Sequence, residues 1–266
     1  MSELEKVNKK VKGGNIQDVF EGHNPEVKVR TKKMLMYLII FAIVMIFAGL
    51  TSAYIVVNAN KFWVHVNAPS WLIASCIIIA ISSASIYGAY LSAKKGKHLI
   101  TTALIVLTLF LGLLFTYSQY KGWEQLSEKG MGYKMTLVDG VKVSSWNRLS
   151  EIKGEYGTDY YVHKNGEKLI YENGEYYMPD DQFRAEPLTP SVNKTSNLNG
   201  SFIAVLIFVH IVHLMFGLIY LIVLTFRSVT KRIDSSNTIS LYTGGMYWHF
   251  LGILWIYLFL FLFFIH

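Results

Sequence analysis

His210, His213 and His249 stand inside apolar runs of chain that carry no Asp, Glu, Lys or Arg. His210 and His213 lie in "SFIAVLIFVHIVHLMFGLIYLIVLTF", and His249 lies in "MYWHFLGILWIYLFLFLFFIH". Imidazole changes charge near neutral pH, so it can move protons, ligate metals or pair with a buried polar group. His210 and His213 are three residues apart, which sets them one turn from each other on a helix face. Haem iron takes its two axial ligands from opposite sides of the ring. This pair cannot supply both from a straight helix, so a second helix must contribute, and His249 is the candidate. Copper or zinc wants a third ligand of Cys, His or carboxylate type at the same depth. The lack of carboxylates in the apolar stretches also argues against a proton wire through them. What remains is a structural or lipid-facing role: His210, His213, His249 and Trp248 as bundle-interior groups, or as partners of a phospholipid phosphate. No catalytic residue and no metal site is expected in this chain.

The elements that hold these residues follow from length and charge. Twenty-one helical residues rise about 31 Å, close to the ~30 Å hydrocarbon core of a bilayer. Met246 to His266 is such a run, and Met34 to Val57, Trp71 to Leu91, Leu99 to Tyr117 and Phe202 to Phe226 precede it. The expected fold is an all-α polytopic membrane protein with five transmembrane helices in a bundle. Lys and Arg are retained on the cytoplasmic side of short connections. Residues 1–33 carry eight of them, the link at 92–98 adds Lys94, Lys95 and Lys97, and the link at 227–245 adds Arg227, Lys231 and Arg232, whereas 58–70 holds only Lys61. This alternation places the N-terminus inside and the C-terminus outside. It also accounts for most of the +7 net charge, so no nucleic-acid partner is expected. The first apolar run is too long for a signal-peptide core and lacks a small-residue exit. Cys76 is alone and reads as a small apolar helix residue. Gly49, Gly112 and Gly217, with Ala48, Ala53, Ser82, Ser83 and Ser85, suit the close helix packing that lipid favours. Tyr247 and Trp248 are expected near the cytoplasmic boundary, with His249 among headgroups.

Four regions result: a cytoplasmic segment at 1–33, spans 1–3 within 34–117, an insertion at 118–201, and spans 4–5 within 202–266. The insertion holds ten basic and twelve acidic side chains and is too long for a structureless connection. Asp139-Gly140, Asn165-Gly166 and Asn173-Gly174 are hairpin dipeptides, because their residues tolerate the positive φ of tight turns. A small extracytoplasmic β-rich unit between helices 3 and 4 is therefore predicted.

In order along the chain, the apolar runs resemble subunit III of the haem–copper respiratory oxidases. "FAIVMIFAGLTSAY" is similar to that family's "SEVMFFAGLFSAY"-like run, "PSWLIASCIIIAISSASIYGAY" to its "P-x-x-N-T-x-x-L-x-x-S-S" helix, and "LTLFLGLLFTYSQYKGWEQL" to its helix ending in Gln and aromatic residues. His210, His213 and Gly217 stand as in its "G-x-H-G-x-H-V-x-x-G" run, with the glycines beside the first histidine replaced. "YWHFLGILWIYLFLF" is similar to "YWHFVDVVWLFLF" and is the most specific match. The family's membrane glutamate falls on Ile43 and the Asp of its last motif on Gly252, so roles of those carboxylates do not carry over. Five spans correspond to the bacterial form that lacks the first two helices.

The resemblance implies a non-catalytic subunit of a terminal oxidase in the bacterial inner membrane, supporting aerobic respiration in which O₂ is reduced to water. Its partners would be the catalytic subunit I and subunit II, which would hold the haem and copper, while this chain would keep structural phospholipid in an intramembrane cleft. A cytochrome-bearing partner at the outer face would meet the insertion. Whether cytochrome c or quinol is the donor is not encoded here. Two other readings stay open: a haem b-binding anchor of a respiratory dehydrogenase, using His210 or His213 with His249, and a small transporter or structural membrane protein.

Overall fold

A computed structural model describes residues 25–58, 62–128, 134–138, 141–145, 154–194, 198–231, 233 and 237–264. Residues 1–24 of the N-terminal segment, the Asp139-Gly140 turn and the terminal His266 lie outside the described residues. In lipid every backbone N–H and C=O must be satisfied within the segment, which leaves the helix as the form available to a single apolar run. All five runs are helical: α1 (Pro25–Asn58), α2 (Ser70–Lys94), α3 (His98–Glu128), α5 (Leu198–Val229) and α6 (Ile239–Phe264), with a single short helix, α4 (Thr189–Lys194), before α5. Each of the five is long and apolar enough to cross a membrane.

The helices overrun the apolar runs that announce them. α1 opens on Pro25, whose fixed φ and missing N–H suit a first helical turn. α3 continues past Tyr117 to Glu128 because Gln119 and Leu126 are buried along that extension. α6 begins at Ile239, before Met246, since Ser240, Leu241 and Thr243 are buried against the bundle. Between α2 and α3, Gly96 takes a φ of 67°, and its N–H caps the carbonyl of Ala93 at 3.0 Å.

α6 is the centre of the bundle. Of its apolar window 61% is buried, against 17% for α1, and it packs on α2, α5 and α1. Trp248, Trp255, Leu251 and Leu258 form its inner surface. α3 lies on α2 and α5.

One end of the bundle carries small antiparallel sheets. β1 (Phe62–Val66) pairs with β4 (Tyr160–Lys164), which pairs with β5 (Glu167–Lys168). β2 (Lys134–Val138) pairs with β3 (Val141–Ser145), and β6 (Ile170–Glu172) with β7 (Glu175–Tyr177). Asn165 and Gly166 have φ of 52° and 84°, Asn173 and Gly174 of 54° and 87°. Positive φ at both central residues matches the right-handed twist of paired strands, so both dipeptides close hairpins as their sequence predicts. β1 is the surprise. It comes from the short link between α1 and α2, and it ties the insertion to the bundle: Trp63 donates its indole N–H to Tyr54 of α1 at 3.3 Å, and Asn67 hydrogen-bonds the backbone of Thr158 and Asp159.

Candidate functional site

The three histidines do not converge. His210, on α5, is 1% exposed; its ring lies 5.3 Å from that of Trp255 and 6.4 Å from Phe115, edge-on to the latter. Neither of its nitrogens has a hydrogen-bond partner or exposed surface. His213 turns its Nδ1 to the carbonyl of Val209 at 2.8 Å, packs 6.0 Å from Phe47, and its own carbonyl accepts the Tyr247 hydroxyl at 3.1 Å. His249 meets the Ser83 hydroxyl of α2 through Nδ1 and stands edge-on to Tyr87 at 6.5 Å. His249 and Ser83 line a groove of about 400 Å³ with Tyr87 and Gly252. No three His, Cys, Asp or Glu gather as a metal site among the described residues. A haem ligated by His210 needs a nitrogen open to iron, and both of its nitrogens are enclosed. His210 does not fit that group.

Trp248 is 1% exposed and fills the space between α3 and α5. A Cβ at Gly112 would come within 2.9 Å of its ring, and one at Gly217 within 2.9 Å of Leu251 and 3.3 Å of Trp248. Its indole N–H donates to Ser82 at 3.0 Å. α6 starts eight residues before Tyr247, about 12 Å along the axis, so Tyr247 and Trp248 stand inside the helix and are buried against its neighbours. At Gly49 nothing among the described residues lies within 4 Å of where a Cβ would stand. At Gly252 a Cβ would meet Ile79 at 3.1 Å, and Ile43 is 4% exposed, so both positions where the resembling family carries a carboxylate are apolar packing sites here.

A polar hub lies beneath this layer. Ser75 of α2 gives its proton to the carbonyl of Leu72 at 2.6 Å and accepts two donors, Trp255 Nε1 at 2.9 Å and Gln119 Nε2 at 3.0 Å. Indole can only donate, and the single hydroxyl proton is committed to Leu72, so Gln119 must present its nitrogen. Three helices are thereby fixed to one oxygen.

Sequence reasoning missed a recess lined by four cations. At the end of the bundle opposite the sheets, Lys28, Lys32, Lys33 and Arg227 line a groove of about 530 Å³ with Tyr90 and Tyr242. Lys33 lies 5.0 Å over the Tyr242 ring, and Arg227 donates to Ser240 at 3.0 Å. The signal was available: Lys28 and Lys32 are four apart, one helical face, if α1 is begun at Pro25 rather than at Met34.

Comparison with known proteins bears on what such a bundle belongs to. Residues 186–266 match the family model described as cytochrome c oxidase subunit III. The chain is similar to cytochrome c oxidase subunit 3 of Bacillus sp. (strain PS3), at 25% identity over 90 residues, covering 34% of this chain and 38% of that one. It is similar to cytochrome c oxidase subunit 3 of Alkalihalophilus pseudofirmus, at 37% identity over 54 residues, 20% of this chain and 26% of the relative. It is similar as well to a probable quinol oxidase subunit 3 of Staphylococcus epidermidis, at 32% identity over 68 residues, 26% and 34% of the two chains. The alignments thus span between about a quarter and two fifths of the relatives they reach.

Proposed function

We propose that this chain belongs to the subunit III family of the haem–copper oxidases, as the match over residues 186–266 supports, and that it is a non-catalytic subunit of a terminal oxidase that reduces O₂ to water. Subunits I and II would be its partners, and they would hold the haem and copper. The assembly would lie in the bacterial cytoplasmic membrane, with the basic end of the bundle inside and the sheets outside. The single observation that carries a supporting rather than catalytic role is the state of the membrane histidines. Both His210 nitrogens are enclosed, Nδ1 of His213 is taken up by the Val209 carbonyl and that of His249 by Ser83, and no three metal-ligating side chains gather among the described residues. The test is purification of the complex through a tag on this chain. A partner with the metal-ligating histidines of a catalytic subunit should follow it in equal amount, and its absence would overturn the assignment.

The phospholipid this subunit would hold is best placed at the basic groove. Four cations around one recess, with tyrosines at its wall, suit the phosphate of a lipid whose chains run down the apolar surface of α1 and α6. His249 and Ser83 would border the acyl chains lower down. Lys32→Gln with Arg227→Gln should reduce the phospholipid retained per complex, measured by mass spectrometry of extracted lipid, while the haem spectra stay normal. Full retention would exclude the groove. Nothing in the geometry favours the haem-anchor reading.

A further inference from the structure

We infer that the loop at 178–187, between β7 and α4, is a docking element in which Phe183 is the anchor, and that its partner is a protein surface with an apolar pocket bordered by lysine or arginine. The inference does not depend on the oxidase assignment.

Phe183 is 91% exposed, more than any other large apolar side chain among the described residues, including those that face lipid. Aromatic rings, Phe among them, are enriched at protein interfaces and bury a large apolar area there. The backbone beneath it is braced rather than loose. The Asp181 carboxylate accepts the N–H groups of Ala185 at 3.2 Å and Glu186 at 3.0 Å. Arg184, at a φ of 52°, donates to the carbonyl of Asp181 at 2.7 Å and reaches back to Glu172 of β6 through Nε at 3.0 Å and Nη2 at 3.2 Å. Leu188 N–H then bonds the carbonyl of Tyr176 at 2.8 Å, which closes the loop onto β7. A side chain displayed from a pre-ordered turn loses little freedom on binding.

The charge around the ring selects the partner. Within residues 172–186, Glu172, Glu175, Asp180, Asp181 and Glu186 stand against one cation, Arg184. Asp180 and Glu186 are exposed on either side of Phe183, and among the described residues neither forms an ion pair. A membrane surface is the competing ligand for an exposed ring. Carboxylates on both flanks disfavour it, because inserting the ring would strip their water and bring them against anionic headgroups. A protein with an apolar pocket and a basic rim meets both features.

The test places a photo-reactive benzophenone side chain at position 183 of the full chain, in the membranes of the producing cell. The adduct should be a protein, with the attached peptide mapping to an apolar pocket that has Lys or Arg at its edge. Yield should fall on the order of tenfold in the Glu186→Lys form, or in about 1 M salt where screening acts within ~3 Å. Glu167→Lys changes the net charge equally on another hairpin and should leave the yield as it was. A lipid adduct, no adduct, or a protein adduct indifferent to Glu186→Lys would each overturn the proposal.

Discussion

Trp248 shows how much one side chain can settle inside a membrane bundle. It occupies the volume two glycines leave open, so Gly112→Ala and Gly217→Ala should each destabilise by about 1–3 kcal/mol through overpacking, seen as a lower melting temperature of the purified complex. Gly49→Ala should be neutral or slightly stabilising in the same measurement, unless a partner subunit approaches there. Residue type alone could not separate these three glycines, because packing depends on what the facing helix places opposite. Ser75→Ala should cost about 1–2 kcal/mol, since it strands the buried donors of Trp255 and Gln119 together. Ser75→Thr, which keeps the hydroxyl, should recover part of that loss. The burial of His210 was legible from its apolar surroundings. The separation of the three histidines was not, because each is placed by a different neighbour.

Among the elements, the hairpins and the five spans were readable from the chain, and the ends of the helices were not. Asn-Gly dictates backbone sign by itself, whereas "ISLYTGG" reads as a loop until Gly244 is seen beneath the ring of Tyr220. β1 was also hidden, since "FWVHV" becomes a strand only when β4 arrives to pair with it. That pairing brings His65 and His163 to 6.3 Å with their rings perpendicular, Tyr161 beside His65, and Lys168 opposite His163. Burial holds both imidazoles below their ordinary pKa, with His163 adding to the effect at His65 and Lys168 at His163. A depressed histidine pKa means the folded sheet binds fewer protons than the unfolded chain. Its contribution is complete above the unfolded pKa of about 6.5 and is lost as pH falls through the folded value. Hydrogen exchange at Val64 and Val162, corrected for intrinsic rates, should therefore show less protection at about pH 5 than at about pH 7.5. His65→Gln with His163→Gln should flatten that difference, and an unchanged slope would mean other groups set it.

At the scale of the whole molecule, the sheets are unequal. The β1–β4–β5 sheet buries Trp63, Val64 and Val162 and is held to α1, while β2 and β3 form a sheet of their own. Removing Lys134–Ser145 should leave thermal stability and the α1–α2 link intact. Removing 154–188 should expose Trp63 and make the link between α1 and α2 a site of protease cleavage. Equal resistance in both forms would show that the sheet is not what secures that link. The same tie sets an order in time. Asn67 and Thr158 hydrogen-bond across 91 residues of chain, and a ribosome adding ~5–20 residues per second needs roughly 5–18 s to make that length. During that interval β1 waits on one side of the membrane without a partner, and α2 and α3 must both be threaded before β4 reaches the same side. A chain whose second or third span fails to insert would deliver β4 to the wrong compartment, leaving Trp63 bare. Closure of this small sheet thus registers that two membrane crossings were completed in sequence.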